Sequence, residues 1–244
     1  MVKDGTERLD RAKVAATALR LLGDCGLEGL TLRAIARELG VKAPALYWHF
    51  KDKQALLDEM ATEMFRRMTA ETATAVVTSA DWPEALSTAM RGLRSQLLRY
   101  RDGAKIYSGT RFTDLSYAGP LETYLTALTG AGFTLPAAAR AWFTAYSYTI
   151  GYVIEEQAMG PVPGPDAGGT GDVGGAKGYD VAARAERLAD FPLAAAMGPE
   201  VFGDDRERGF EAGLAAVVAG IGATLGPAAP AADRPAGPYG PYGN

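Results

Sequence analysis

Apolar side chains recur along this chain with a helical period, and no segment shows the persuasive alternation of a half-buried strand. Val14, Ala18, Leu21 and Leu22 stand at i, i+4, i+7 and i+8, which predicts an amphipathic helix that stops near Gly26. Thr31 then offers an N-cap hydroxyl. Leu32, Ile35, Ala36 and Leu39 repeat with the same period until Gly40, a residue suited to the left-handed cap. The tight Gly40-Val41-Lys42 connection leads to Pro44, tolerated at the first helical position because its missing N–H would be unpaired there anyway, and to a very short third helix. Asp52 can cap a fourth helix, whose Leu56, Leu57, Met60, Ala61 and Met64 form one apolar stripe running to about Thr69.

Beyond it the pattern predicts helices at roughly Trp82 to Tyr100, Pro120 to Gly130, Pro136 to Ala158, Val181 to Ala189 and Asp205 to Leu225. The fold class expected is all-α, with an N-terminal three-helix domain carrying a helix-turn-helix and a helical body behind it. Residues 1–70 are assigned to the first domain with its bridging helix, and 71–226 to the second. Gly and Pro dominate 160–178, and Ala, Pro and Gly repeat through 227–244, so a mobile loop and a disordered tail are expected there.

Charge sharpens this division. The formal net charge is -4, yet residues 1–70 hold 12 Lys and Arg against 10 Asp and Glu. Between Thr31 and Lys53 the basic residues Arg33, Arg37, Lys42, Lys51 and Lys53 face only Glu38 and Asp52. A small basic module on an acidic body suits local contact with DNA. Cys25 and His49 are single, which excludes an internal disulfide and a protein-only zinc site of the Cys/His type. The first 25 residues are charged and interrupted and do not resemble a signal peptide, so a cytoplasmic location is expected.

Two short helices joined by a three-residue turn let the second enter a major groove while the first crosses the backbone. Gly40, Ala43, Pro44 and Ala45 permit close approach to base edges, and Ala43 or Ala45 can touch a thymine methyl. Tyr47, His49 and Lys53 can reach phosphate oxygens. The pattern alone equally allows an αα corner in an ordinary helical domain. The run from Leu46 through Tyr47-Trp48-His49-Phe50 to Leu57, with Gly29-Leu30-Thr31-Leu32-Arg33 before it, resembles the tetracycline repressor family across about residues 9–70. That resemblance implies a homodimer whose two recognition helices enter successive major grooves of a near-palindromic operator. The DNA-contacting positions it implies include Thr31, Arg33, Lys42, Ala43, Pro44, Ala45, Tyr47, Trp48, His49 and Lys53. Ala43 and Ala45 replace polar residues of the tetracycline-resistance repressors, so the operator sequence does not transfer.

The segments Arg101 to Arg111 and Gly151 to Gln157 resemble the tetracycline-binding body of the same family. The resemblance implies a small-molecule effector and a signal path from Tyr107–Arg111 through the helix at Lys53–Thr69 to the DNA-binding heads. The family's magnesium-ligating histidine falls on Tyr107, and other drug-contacting positions on Thr69, Ala89 and Tyr124. A neutral phenol is a poor magnesium ligand, so a magnesium–tetracycline chelate is not expected and no cofactor is assigned. Thr110, Arg111 and Glu155 stand as polar anchors, and Leu93, Phe112, Tyr124, Trp142 and Tyr146 as flat apolar walls for a planar, polyketide-like or drug-like molecule. Each aromatic can instead be plain core, Glu155 a solvated or salt-bridged end, and Arg111 a partner of Asp102 or Asp114. The apolar run Phe210 to Leu225 is too short for a bilayer, and its Gly209-x-x-x-Gly213 and Gly222-x-x-x-Gly226 spacings suit close helix packing. With Pro136 to Ala158 it is expected to form a four-helix dimer interface, as in relatives.

An enzyme is the main rival class. There is no nucleophile elbow and no P-loop, and Gly169-Thr170-Gly171-Asp172-Val173-Gly174 matches the dinucleotide string only after a Pro/Gly-rich loop and no strand. A constitutive DNA-binding regulator with a degenerate pocket, and an activator, remain open at this point.

Overall fold

The computed structural model describes residues 9–72, 81–160, 180–203 and 205–227. The loop expected at 160–178 and the tail expected at 227–244 lie, but for their first residues, outside the described residues. The described elements are helices: α1 Arg11–Gly29, α2 Leu32–Glu38, α3 Ala43–Tyr47, α4 Lys53–Thr72, α5 Trp82–Leu98, α6 Gly103–Tyr107, α7 Ala118–Gly130, α8 Leu135–Ala158, α9 Val181–Arg187, α10 Pro192–Phe202 and α11 Arg206–Leu225. The all-α expectation is met.

Side-chain caps start three of the first four helices. The Asp10 carboxylate accepts from Lys13 N at 2.7 Å to start α1, the Thr31 hydroxyl accepts from Ala34 N at 3.1 Å to start α2, and Asp52 accepts from Ala55 N at 2.8 Å ahead of the α4 body. Helix α1 does not end at Gly26. The backbone breaks there into the left-handed region at φ 65 and resumes helical turns to Gly29.

Two elements went unpredicted. Helix α6 has five residues, too few for a period to register. Helix α10 leaves its apolar residues Leu193 and Val201 exposed and contains Pro199, so no buried face announces it.

One apolar cluster runs from Val14, Leu22, Ile35, Leu46 and Phe50 through Leu56, Met60 and Met64 of α4 to Leu97, Ile106 and Val153. Helix α4 thus belongs to the core of both halves. A second cluster joins Leu86, Met90, Phe133, Ala141, Ala145, Phe210, Leu214 and Ile221. Between the two sits a buried ion pair. Arg94 of α5 donates to both oxygens of Glu156 of α8, at 2.9 and 2.8 Å, and also to Glu207 of α11, with its guanidinium over the Phe210 ring. Burial opposes the Arg94 charge, and the bonds to Glu156 and Glu207 outweigh it, so its pKa is raised.

The Gly209 and Gly213 spacing is used within this chain. Side chains there would collide with the Tyr152 and Tyr148 hydroxyls of α8, which donate to the carbonyls of Arg206 and Phe210 at 2.8 and 2.9 Å. The whole of α11, at 20 residues, is long and apolar enough by length and composition alone to cross a membrane, a test that the core helix of a soluble protein also passes. One face of it, with Phe210, Leu214 and Ile221, is packed into the second cluster. Its exposed positions Ala212, Ala215, Ala216, Ala219, Gly220 and Ala223 are small.

Candidate functional site

The helix-turn-helix is built on α2 and α3. Gly40, at φ 66, makes the turn that a side chain would strain. Buried Ile35, Ala36 and Leu46 pin the two helices to α1 and α4 and turn their other faces outward. Arg33, Lys42, Pro44, Tyr47 and Trp48 are exposed, Trp48 at 90%. Tyr47 and Trp48 thus stand side by side on the outer face of the unit. Thr31 is exposed while capping α2. Ala43, Ala45 and His49 are half-buried, and the exposed Lys53 spends its ammonium on the Leu27 carbonyl at 3.1 Å. The end of this unit is tied to the body by Arg11, which donates to the His49 carbonyl at 2.6 Å and to the buried Glu59 of α4 at 2.8 Å.

The body holds a cavity of about 420 Å³ between α4, α5, α7, α8 and the segment after α6, open to solvent beside Phe143 and Thr123. Thr69, Ala89, Leu93, Tyr107, Phe112, Tyr124, Trp142 and Tyr146, all expected from the sequence, meet in its wall. Thr110, Arg111 and Glu155 do not. The Thr110 hydroxyl donates back to the Ile106 carbonyl at 2.7 Å, Arg111 is exposed at a separate groove beside Lys51 and Asp58, and Glu155 lies on the exposed face of α8. The carboxylate that the apolar helix buries is the next one, Glu156. Nor does Arg111 pair with Asp102 or Asp114. Asp102 accepts from Leu27 N and Lys105, and Asp114 accepts from Arg66.

Sequence reasoning missed Phe65, Met68, Met90, Tyr117, Leu121 and Phe143 of the wall. Helical spacing was the available signal: Phe65, Met68 and Thr69 share one face of α4, and Tyr117, Leu121 and Tyr124 one face around α7.

The rings of the wall are paired. Tyr124 stacks on Trp142 with centroids 4.5 Å apart, Phe112 stacks on Tyr117 at 5.3 Å, and Tyr107 meets Phe112 edge-on at 5.6 Å. Burial pushes the Tyr107 and Tyr146 phenols upward and the Tyr124 phenol to about 12, so all three are neutral near pH 7. The cavity wall contains no charged side chain, and no group of three or more His, Cys, Asp or Glu able to hold a metal is found among the described residues. These residues do not fit the magnesium site that the tetracycline-binding proteins suggest.

The segment 111–114 joins the cavity to α4. Asp58, Thr62 and Arg66 stand one helical turn apart. The Asp58 carboxylate accepts from Arg111 N at 3.3 Å, the Thr62 hydroxyl from Thr113 N at 3.0 Å, and Arg66 donates to Asp114 at 2.6 Å. Phe112, between these anchors, faces the cavity.

Comparisons with known proteins agree with both halves. The family described as bacterial regulatory proteins, tetR family, matches residues 14–60, and the one described as tetracyclin repressor-like, C-terminal domain, matches residues 77–225. The tetracycline repressor protein class A from transposon 1721 of Escherichia coli is 43% identical over 168 residues, 67% of this chain and 74% of that protein. A solved structure of a possible TetR family transcriptional regulator from Streptomyces coelicolor A3(2) is 35% identical with a TM-score of 0.71, covering 88% of this chain and 99% of that one. A variant of TetR from Acinetobacter baumannii AYE, solved in complex with minocycline, is 32% identical with a TM-score of 0.63, covering 89% and 99%. The chain belongs to the tetracycline repressor family of bacterial transcriptional regulators.

Proposed function

We propose that the protein is a homodimeric repressor that grips a near-palindromic operator in the cytoplasm and lets go when a flat small molecule fills the cavity. The observation that carries this reading is the anchoring of segment 111–114 along Asp58, Thr62 and Arg66, because it joins a cavity ring, Phe112, to the helix that carries the DNA-binding unit. A ligand pressed against Phe112 and Tyr117 pulls on that row. The strain passes along α4 to Glu59, through Arg11, and to the carbonyl of His49 at the end of α3. A ligand shifts the equilibrium only by its differential affinity for the two head positions.

On the DNA side, Ala43, Pro44 and Ala45 approach base edges, and Arg33, Lys42, Tyr47, Trp48 and His49 hold the backbone, with Thr31 presenting α2. Lys53 joins them only by leaving the Leu27 carbonyl. Dimerisation is assigned to the exposed small-residue face of α11 together with Thr144, Ser147 and Gly151 on the exposed side of α8. Glu155 lies on that side too and is carried to the subunit boundary. Arg111 and Thr110 act at the head–body joint rather than on the ligand.

Selection of DNA from a random library by the full chain, with sedimentation of the complex, tests the reading. Two half-sites about one helical turn apart and two chains per site are expected. A single unrepeated site bound by one chain contradicts it.

A further inference from the structure

The cavity wall says what kind of molecule it takes, and the inference rests on reading the cavity as the effector site. Its polar side-chain groups are hydroxyls and the Trp142 indole N–H, and none is charged. Thr69 and Thr123 are satisfied by the Arg66 and Gly119 carbonyls, at 3.0 and 3.1 Å. Among the described residues the Tyr107, Tyr124 and Tyr146 hydroxyls have no hydrogen-bond partner, although Tyr107 is only 5% exposed. None of the three is a fully buried unpaired atom, so each phenol oxygen still reaches open space and its O–H can donate to an acceptor placed there. These phenols sit beside ring faces, the Tyr124–Trp142 stack and the Phe112–Tyr117 stack. Such walls suit a flat fused-ring system, and the volume of about 420 Å³ lies within the range for a drug-sized ligand.

Charge is disfavoured here. A ligand carboxylate, sulfonate or ammonium would be stripped of water with no opposite charge in the wall to meet it. Magnesium requires several hard oxygen ligands, and hydroxyls on aromatic rings are a weak substitute for carboxylates. We infer that the cavity takes an uncharged, metal-free fused-ring aromatic ketone or quinone, with its carbonyl edge accepting from Tyr107 and its ring face against the Trp142–Tyr124 pair.

Hydroxymethyl-anthraquinone is a matched probe: flat, uncharged and without a chelating hydroxyl. Calorimetric titration of the full chain should show it binding with equal affinity in EDTA and in excess magnesium, and anthraquinone sulfonate binding at least tenfold more weakly. Y107F should weaken the quinone about tenfold while leaving the melting temperature of the unliganded protein unchanged or higher, a combination that a purely structural tyrosine does not give. Equal binding of the sulfonate, an affinity that rises with magnesium, or no loss in Y107F overturns the inference. Tetracycline bound only with magnesium overturns the ligand class and leaves the effector cavity standing. If the quinone, the sulfonate and magnesium–tetracycline all fail to bind, the class and the effector reading fall together.

Discussion

Arg66 of α4 donates to Asp114 with two of its guanidinium nitrogens, at 2.6 and 3.0 Å, and so fastens the segment beside the cavity to the helix that carries the DNA-binding unit. The Ser116 N–H, which donates to Asp114 at 2.9 Å, and Arg66 favour the charged form of Asp114 and hold its pKa down to about 2. Asp114 is therefore charged near pH 7.

Breaking this link should separate sensing from DNA binding. Arg66→Ala and Asp114→Asn are expected to bind operator with wild-type affinity but to need at least tenfold more effector for release. Both side chains are about a third exposed, at 33% and 38%, so the stability change should stay within about 1 kcal/mol. Arg99→Ala, which removes an exposed pair with Glu71, is the control that should change neither. Release curves by fluorescence anisotropy decide this.

Adjacent glutamates should behave oppositely. Glu156→Ala takes two hydrogen bonds from the buried Arg94 guanidinium, leaves it only the exposed Glu207, and is expected to cost about 3 kcal/mol. Glu155→Ala, on the exposed face, should fall within about 0.5 kcal/mol. Urea unfolding of the two variants measures both, and equal effects would contradict the buried pair.

That contrast also shows what was legible in the sequence. Helical periodicity gave α1, α2 and α4, because each buries a stripe, the tight turn and Pro44 gave the five-residue α3, and the capping residues Thr31 and Asp52 mark where α2 and α4 begin. The same reasoning foresaw that a carboxylate in the apolar helix must be paired, but it named Glu155. A single step around a helix turns a side chain by about 100°, and only the position of Arg94 on another helix selects Glu156. The wall was legible only in part: Tyr107, Phe112, Tyr124, Trp142 and Tyr146 were named, whereas Phe65, Tyr117 and Phe143 were not. Thr110 and Arg111 were placed in the cavity by resemblance, and the local turn after α6 sends them elsewhere.

The exposed aromatics of the helix-turn-helix should matter to DNA and not to the fold. Trp48→Ala, at a position 90% exposed, should change stability by no more than about 0.5 kcal/mol. Its operator affinity should drop at least tenfold. Lys42→Ala should weaken binding to all sequences alike and lower the slope of log affinity against log salt by about 1. Unchanged salt slopes would remove Lys42 from the interface.

Alkaline pH should loosen the cavity. Burial raises the folded-state phenol pKa of Tyr124 from 10.0 to about 12 and also raises those of Tyr107 and Tyr146. Their contribution is therefore fully present below pH 10 and is lost as pH rises through the folded-state values. The melting temperature should hold steady through pH 9 and fall steeply above pH 10, and Tyr124→Phe should soften that fall. Absorbance titration of the tyrosines against the melting curve checks the order of events.

The central claim is that filling the cavity releases DNA, and one titration addresses it. Labelled operator recovered by selection is bound to the full chain, and hydroxymethyl-anthraquinone is added while anisotropy follows the DNA and the part of the tryptophan quenching that a Trp142→Phe control lacks follows the cavity. The account predicts that anisotropy falls to the free-DNA value as Trp142 is quenched; DNA that stays bound to protein with a fully quenched Trp142 would contradict it.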